Sequence, residues 1–428
     1  MSLHFPLVAD AKLDTAQPSP RFKSVAGEGD APLKVGTAVL SSEDVFSPVM
    51  VMKQSALENN LRQLAAFCQE KGVMLAAHGK TSMAPAVLRR AVTQGGAWGI
   101  SAATPAQVTP AQVRALRHFG IRNVFLANEC VDPGGIRWIG EWQRRHPDHG
   151  FLCYVDSLAG VTLLEQNLGD TAIAVLIEVS IPGGRTGCRT EEEVLAIAER
   201  IAQSRHLHLV GVAGYEGALG AGRDAAGVAL IQHYCNVMLD CARMLAERQL
   251  FHSKTILLSA GGGAWFDVVT ACFTQAVLPL PVQPLIRSGA YMAHDSGLYS
   301  RIAPFSQPGA DHHFEAALEI WGRVLSRPES GLALLDFGRR DVPFDQDLPV
   351  PLWIRQPDGT APRTGTHLHI SEVNDQHAYL RVPDDESLMP GDWVGCGISH
   401  PCTAFDKWRY LPLVDDEYRV VDSVETAF

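Results

Sequence analysis

A chain of 428 residues, 46% hydrophobic and 19% charged, is long enough for two domains and has the balance of an ordinary globular protein. Its 36 Lys and Arg against 47 Asp and Glu leave a net charge of −11, which argues against nucleic acid or an anionic membrane as a partner. Residues 1–20 lack the cationic start and apolar core of a secretory leader, the run 277–282 is broken by prolines, and nine scattered cysteines form no C-x-x-C pair, so we expect a cytoplasmic protein with reduced thiols.

Taken in order, residues 1–45 are rich in Pro, Gly, Ser and charge and read as a loosely built arm, followed by a short strand at 49–52. Residues 55–71 place Leu57, Leu61, Leu64, Ala65 and Cys68 at helical spacing and end at Gly72. A regular alternation then begins. Strands are predicted at 73–77, 97–101, 123–127, 151–155, 173–179, 209–214, 255–259 and 283–288, with helices between them. Ser82 is a candidate cap for the helix leading to Gly95, Thr104 followed by Pro105 is another start signal, and Thr190 with Glu193 has capping-box spacing. Eight strands alternating with helices is the pattern of a closed (β/α)8 barrel of the TIM type, although an open doubly wound sheet shares the alternation.

A barrel carries its working residues in the loops after its strands. Those loops here begin with Lys80, Ser101, Asn128, Asp156, the segment Gly183-Gly-Arg-Thr-Gly187, Tyr215, Gly261-Gly-Gly263 and Ser288. A lysine at the mouth of an apolar strand is partly desolvated, which favours the neutral amine that condenses with carbonyls. Gly79-Lys80-Thr81 echoes a phosphate-binding P-loop, but that loop needs a glycine at position 74, which is Met74. Glycines 261–263 before a helix predicted over 264–273 expose N–H groups suited to a phosphate, or simply make a flexible turn.

Beyond residue 300 the alternation stops, and short β-type runs at 314–325, 332–335, 368–373, 378–382 and 393–395 predict a second, all-β domain joined by the strand near 49–52. The expected division is an arm and strand over 1–52, a barrel over 53–299 and a β domain over 300–428. Near its end, His400 and Cys402 leave the same face of an extended segment. Imidazole and thiolate suit zinc, and two ligands without two more suit an open, catalytic metal rather than a structural one.

Five motifs in this order, His78-Gly-Lys-Thr81, Gly184-Arg-Thr-Gly187, Gly261-Gly-Gly263, Arg287-Ser-Gly-Ala-Tyr291 and His400-Pro-Cys402, resemble the D-serine dehydratase and D-threonine aldolase family. These are fold-type III pyridoxal phosphate enzymes related to the alanine racemase barrel. The resemblance spans about residues 47–300 and 390–410. It implies that Lys80 carries pyridoxal 5'-phosphate as a Schiff base beside His78. Arg185 would face the cofactor's phenolic oxygen and Tyr215 its ring nitrogen. Gly262, Gly263, Ser288, Gly289 and Tyr291 would bind its phosphate. His400 and Cys402 would hold a divalent metal, zinc first. Family aldolases usually carry H-x-D where the D-serine dehydratases carry H-x-C, so this chain leans to a D-serine dehydratase releasing a 2-oxo acid and ammonia. The alternative is a D-threonine aldolase or 3-hydroxyaspartate-type lyase, and a cofactor-carrying barrel without catalysis fits least. A homodimer binding a D-amino acid, with the partner's second domain over the barrel mouth, is the expected assembly. Glu216, Asp295 and Asp406 stand as candidate supporting carboxylates.

Overall fold

The computed structural model describes residues 22–26, 31–103, 111–357 and 360–428. The candidate cap at Thr104 and Pro105 lies outside them. Strand β1 (Val49–Lys53) leads into a helix, Gln54–Lys71, whose inner face buries Leu57, Leu61, Leu64 and Cys68 and which stops at Gly72, φ 65°. Glycine adopts that left-handed conformation without steric cost.

Eight strands follow: β2 (Met74–His78), β3 (Gly99–Ala102), β4 (Val124–Glu129), β5 (Phe151–Val155), β6 (Ile173–Glu178), β7 (Leu207–Ala213), β8 (Ile256–Ala260) and β9 (Val282–Ile286). They pair in parallel in sequence order and β9 closes on β2, Leu75 opposite Ile286, so the barrel is closed and the open-sheet alternative falls. Phe125, Ala127, Leu152, Tyr154, Leu176 and Leu285 fill its inside, while the alternate residues face the helices. Each large apolar side chain so buried contributes roughly 1.5–3 kcal/mol.

Local start signals hold in part. Thr190 and Glu193 form a reciprocal capping box on the helix Glu191–Ala202. Ser82 does not cap the next helix: that helix is Pro85–Thr93, because proline at the first helical position sets the start after Ala84. The helix after the glycine run begins at Phe266 rather than 264.

The remaining strands are β10 (Leu318–Glu329), β11 (Leu332–Leu335), β12 (Val350–Arg355), β13 (Arg363–Thr364), β14 (His369–Val373), β15 (Ala378–Arg381), β16 (Trp393–Gly397), β17 (Tyr410–Val414) and β18 (Val420–Glu425). One sheet runs β13-β12-β16-β10-β1-β17-β18, with β11, β15 and β14 hung from β10. The N-terminal strand β1 thus lies between β10 and β17, and the arm packs Leu33, Val39, Leu40 and Val45 against Trp321, Tyr410 and Tyr418. Among the described residues no helix is long and apolar enough to cross a membrane.

Candidate active site

At the end of β2 the chain makes one 3₁₀ turn, Gly79–Thr81, in which the Lys80 N–H donates to His78 Nδ1 at 3.4 Å. Lys80 is exposed at the barrel mouth, so the expected desolvation by an apolar strand end does not apply: the short turn carries it past the hydrophobic wall. What marks it is its company. A cavity of about 250 Å³ is lined by His78, Lys80, Asn128, Tyr154, Arg185, Tyr215, Gly262 and Arg287. A larger cavity, about 570 Å³, lies on the β domain between Lys53, Glu319, Trp353 and Tyr418, but the strand-end residues gather at the smaller one, and the chemistry is there. Desolvation first, then the charges of Lys80, Arg287 and Arg185, hold the His78 imidazole well below its usual pKa, so it is neutral at pH 7.

The loop after β6 presents Arg185, whose guanidinium lies 4.9 Å from the centre of the Tyr215 ring. Arg189 shapes this loop by donating to the carbonyl oxygens of Gly184 (3.0 Å), Arg185 (2.7 Å) and Thr186 (3.1 Å). Burial, then the charge of Glu216, raises the Tyr215 phenol, which therefore stays protonated. Beneath them Arg287, 5% exposed, donates to Gly214 O and Ser259 Oγ, both at 2.5 Å, and so ties together the ends of β7 and β8. Sequence reasoning assigned no role to Arg189 or Arg287; a basic residue directly after an apolar strand was the one available signal for Arg287.

The glycine run is engaged differently from expectation. Gly261 and Gly262 donate their N–H groups to the buried Glu216 carboxylate at 3.0 and 2.6 Å, so the Gly262 N–H is already taken. The backbone N–H groups of Gly263, Ser288 and Gly289 have no acceptor among the described residues. A Cβ at Gly289 would come within 2.5 Å of His78 O, so only glycine lets this loop lie against the Lys80 strand. Unpaired donors on two adjacent strand-end loops fit a phosphate. Tyr291 does not line the cavity: its side chain is buried beside Phe314, and its hydroxyl has no hydrogen-bond partner among the described residues. Ser101 also turns inward, donating to Ala76 O at 3.1 Å.

His400 and Cys402 are not in an extended segment. His400, φ 64°, precedes a single helical turn, Pro401–Phe405. Its N–H donates to Asp295 Oδ2 at 2.8 Å, and the other oxygen of Asp295 accepts from Gly297 (3.0 Å) and Tyr299 (2.8 Å), which binds this turn to the loop leaving the barrel. The neighbouring Cys402 thiol, then Asp345, raises His400 to about 9 against the opposing effect of burial. Burial pushes the Cys402 thiol up, but the neighbouring His400 and Thr81 outweigh it and leave the thiol below its ordinary value. Cys402 Sγ stands 3.4 Å from Thr81 Oγ1, the residue after Lys80. Two adjoining soft donors, with the thiol tending to thiolate, fit a zinc-type ion. Asp406 is exposed, close enough to Asp345 and His400 to feel their charges.

One acidic group beside the cavity was missed. Carboxylate oxygens of Glu129, Asp156 and Glu178 lie within 4.8 Å of one another. Burial, then hydrogen bonding to Glu178, lifts Glu129 to about 9. Between the ordinary glutamate value, about 4.3, and that point, the folded chain keeps a proton that the unfolded chain releases, so stability falls as pH rises through this window. Glu129→Gln is expected to raise the thermal midpoint by a few degrees at pH 8 and to leave it unchanged at pH 4; equal shifts at both values would show that the carboxylates do not share a proton.

With this geometry in hand, the comparisons with known proteins are informative. The family model "Alanine racemase, N-terminal domain" matches residues 52–273, and "Putative serine dehydratase domain" matches residues 317–414. The chain is similar to the 3-hydroxy-D-aspartate aldolase of Paracoccus denitrificans, 24% identical over 361 residues, covering 82% of this chain and 86% of the relative. It is also similar to the D-threonine aldolase of Arthrobacter sp, 24% identical over 341 residues, with coverages of 79% and 80%. Among solved structures, D-threonine aldolase from Filomicrobium marinum superposes with a TM-score of 0.75 at 22% identity, covering 92% of this chain and 98% of that one. D-threo-3-hydroxyaspartate dehydratase from Delftia sp. HT23 superposes with 0.70 at 19% identity, covering 91% and 99%. Solved variants of the D-threo-3-hydroxyaspartate dehydratase replace a histidine and, in a metal-free form, a cysteine two positions further on.

Proposed function

The chain belongs to the alanine racemase N-terminal domain family, and on that footing we propose that it is a pyridoxal phosphate- and metal-dependent lyase of β-hydroxy D-amino acids, with 3-hydroxy-D-aspartate and D-threonine as the first substrates to test. The observation that carries this is the contact of Cys402 with Thr81, which brings His400 and Cys402 to the Lys80 turn across 321 positions of sequence. The two curated relatives, matched over most of their length, are aldolases, which favours this reading over the D-serine dehydratase that the H-x-C tripeptide alone suggests. D-serine dehydration is kept as the second reading, on the strength of that tripeptide and the serine dehydratase match over residues 317–414.

Pyridoxal phosphate, when bound, supplies an electron sink for charge developing at the substrate's α-carbon. Lys80 would hold it through its amine, and the same amine, at the barrel mouth, could move a proton of the substrate. Arg185 would keep the phenolic oxygen anionic by a charge-assisted hydrogen bond. Tyr215, held protonated by burial, would serve the ring nitrogen as a neutral partner. The N–H groups of Gly263, Ser288 and Gly289 would hold the phosphate, and His78 is neutral at pH 7. A metal on His400 and Cys402, zinc first, supplies Lewis acidity toward the β-hydroxyl. Removing the hydroxyl proton leads to Cα–Cβ cleavage, and removing the α-proton leads to loss of water.

Product analysis with purified protein, cofactor and zinc tests the reading. Glycine with acetaldehyde from D-threonine, or glycine with glyoxylate from 3-hydroxy-D-aspartate, is the expected result. Oxaloacetate and ammonia from 3-hydroxy-D-aspartate keep the substrate class and change the bond broken. Pyruvate and ammonia from D-serine alone would favour the second reading, and no turnover of any of the three would overturn both. The assembly we propose is a homodimer in which a second copy covers the barrel mouth; a monomeric mass by sedimentation would overturn it.

A further inference from the structure

The segment 336–349 was placed neither by the alternation of strands and helices nor by the family resemblance, yet it reaches the candidate metal donors. Asp345 Oδ2 is hydrogen-bonded to His400 Nδ1, and its other oxygen accepts from Thr403 Oγ1 at 2.7 Å. Two positions on, Asp347 accepts from Ser399 Oγ at 2.9 Å and from Arg301 at 2.8 Å, so it touches the neighbour of the histidine and not its ring.

We propose that Asp345 is a positioning residue for the metal site: by accepting from Nδ1 it fixes the imidazole's tautomer and rotation, leaving Nε2 turned to the Cys402 sulfur and to a metal between them. The inference rests on the metal reading of His400 and Cys402. Three features on the page support it. His400 has an unusual backbone, φ 64°, pinned from the main-chain side by Asp295, so a second restraint on the ring completes its orientation. Thr403 fixes the Asp345 carboxylate in turn, which makes a relay Thr403–Asp345–His400 rather than a loose surface pair. The imidazole is only 23% exposed while its partner is 38% exposed, so the carboxylate sits at the rim of the site with the ring largely covered beneath it. A carboxylate on the distal nitrogen of a ligating histidine raises ligand basicity and is typically worth about 10–100-fold in metal affinity.

The test is the zinc dissociation constant of the cofactor-loaded protein, measured by competition with a chromophoric chelator, for wild type, Asp345→Asn, Asp345→Ala, Asp345→Glu and Asp347→Asn. Asp345→Asn and Asp345→Ala are expected to weaken zinc by about 10–100-fold, with thermal midpoints in the absence of metal unchanged. Asp345→Glu should recover part of the loss, and Asp347→Asn, which removes the same charge from the same segment, should leave the constant within about twofold. With cobalt as the probe, the absorption of the cobalt–thiolate site should shift in the Asp345 variants. Wild-type zinc affinity in Asp345→Ala, or an equal loss in Asp347→Asn, would overturn the assignment. A wild-type protein whose zinc affinity is untouched by His400→Ala fails the metal reading itself, and the inference with it.

Discussion

Lys80→Ala is expected to remove the visible absorbance of bound pyridoxal phosphate and to lower turnover by at least about 10³-fold, equivalent to about 4 kcal/mol of transition-state stabilisation. The expectation follows from position. Among the cavity-lining residues Lys80 is the sole primary amine, and it stands where β2 opens into the barrel mouth, with Arg185 and Tyr215 on the walls. The alanine variant removes the one covalent anchor while the unpaired donors of Gly263, Ser288 and Gly289 remain for the phosphate, so weak, unanchored cofactor binding should persist. Titration of the variant with pyridoxal phosphate, followed by absorbance and by turnover of 3-hydroxy-D-aspartate, separates the two. Turnover within tenfold of wild type would exclude Lys80 as the working amine.

Replacing both His400 and Cys402 by alanine is expected to lower turnover by at least about 10²-fold, about 3 kcal/mol, with the cofactor absorbance kept. Hydroxide is a poor leaving group and an alcohol a poor acid without a Lewis acid at the oxygen, and Cys402, two positions from His400, reaches the Lys80 turn. EDTA should reproduce the defect in the wild type, zinc should reverse it, and EDTA should do nothing further to the double variant. Full activity of the EDTA-treated wild type would remove the metal from the mechanism. The paired measurements also separate the two halves of the site: Lys80 governs the absorbance, His400 and Cys402 the metal response.

The sequence by itself determined the elements whose causes are local. Eight apolar strands, the capping box at Thr190 and Glu193, the stop at Gly72 and the position of Lys80 at a strand end all depend on periodicity and on residues a few positions apart. The barrel rule places Arg185, Tyr215 and the glycine run at the working face from strand order alone. Strands β12, β13, β17 and β18 were not read, because short strands in a mixed β domain take their stability from neighbours such as β16 and β1 rather than from an internal pattern.

Only the tertiary structure decided which way side chains face and which distant residues meet. Tyr291 lies in a phosphate-like motif but turns into the core, and Glu216 takes the N–H of Gly262 that a phosphate was expected to use. Asp295, Asp345 and Cys402 come to the site from loops up to 321 positions from their partners, through hydrogen bonds that carry no signature along the chain. Periodicity reports burial on one face of an element; it holds no information on which of several polar loops closes over the barrel mouth, and that choice is made by packing of the β domain on the barrel.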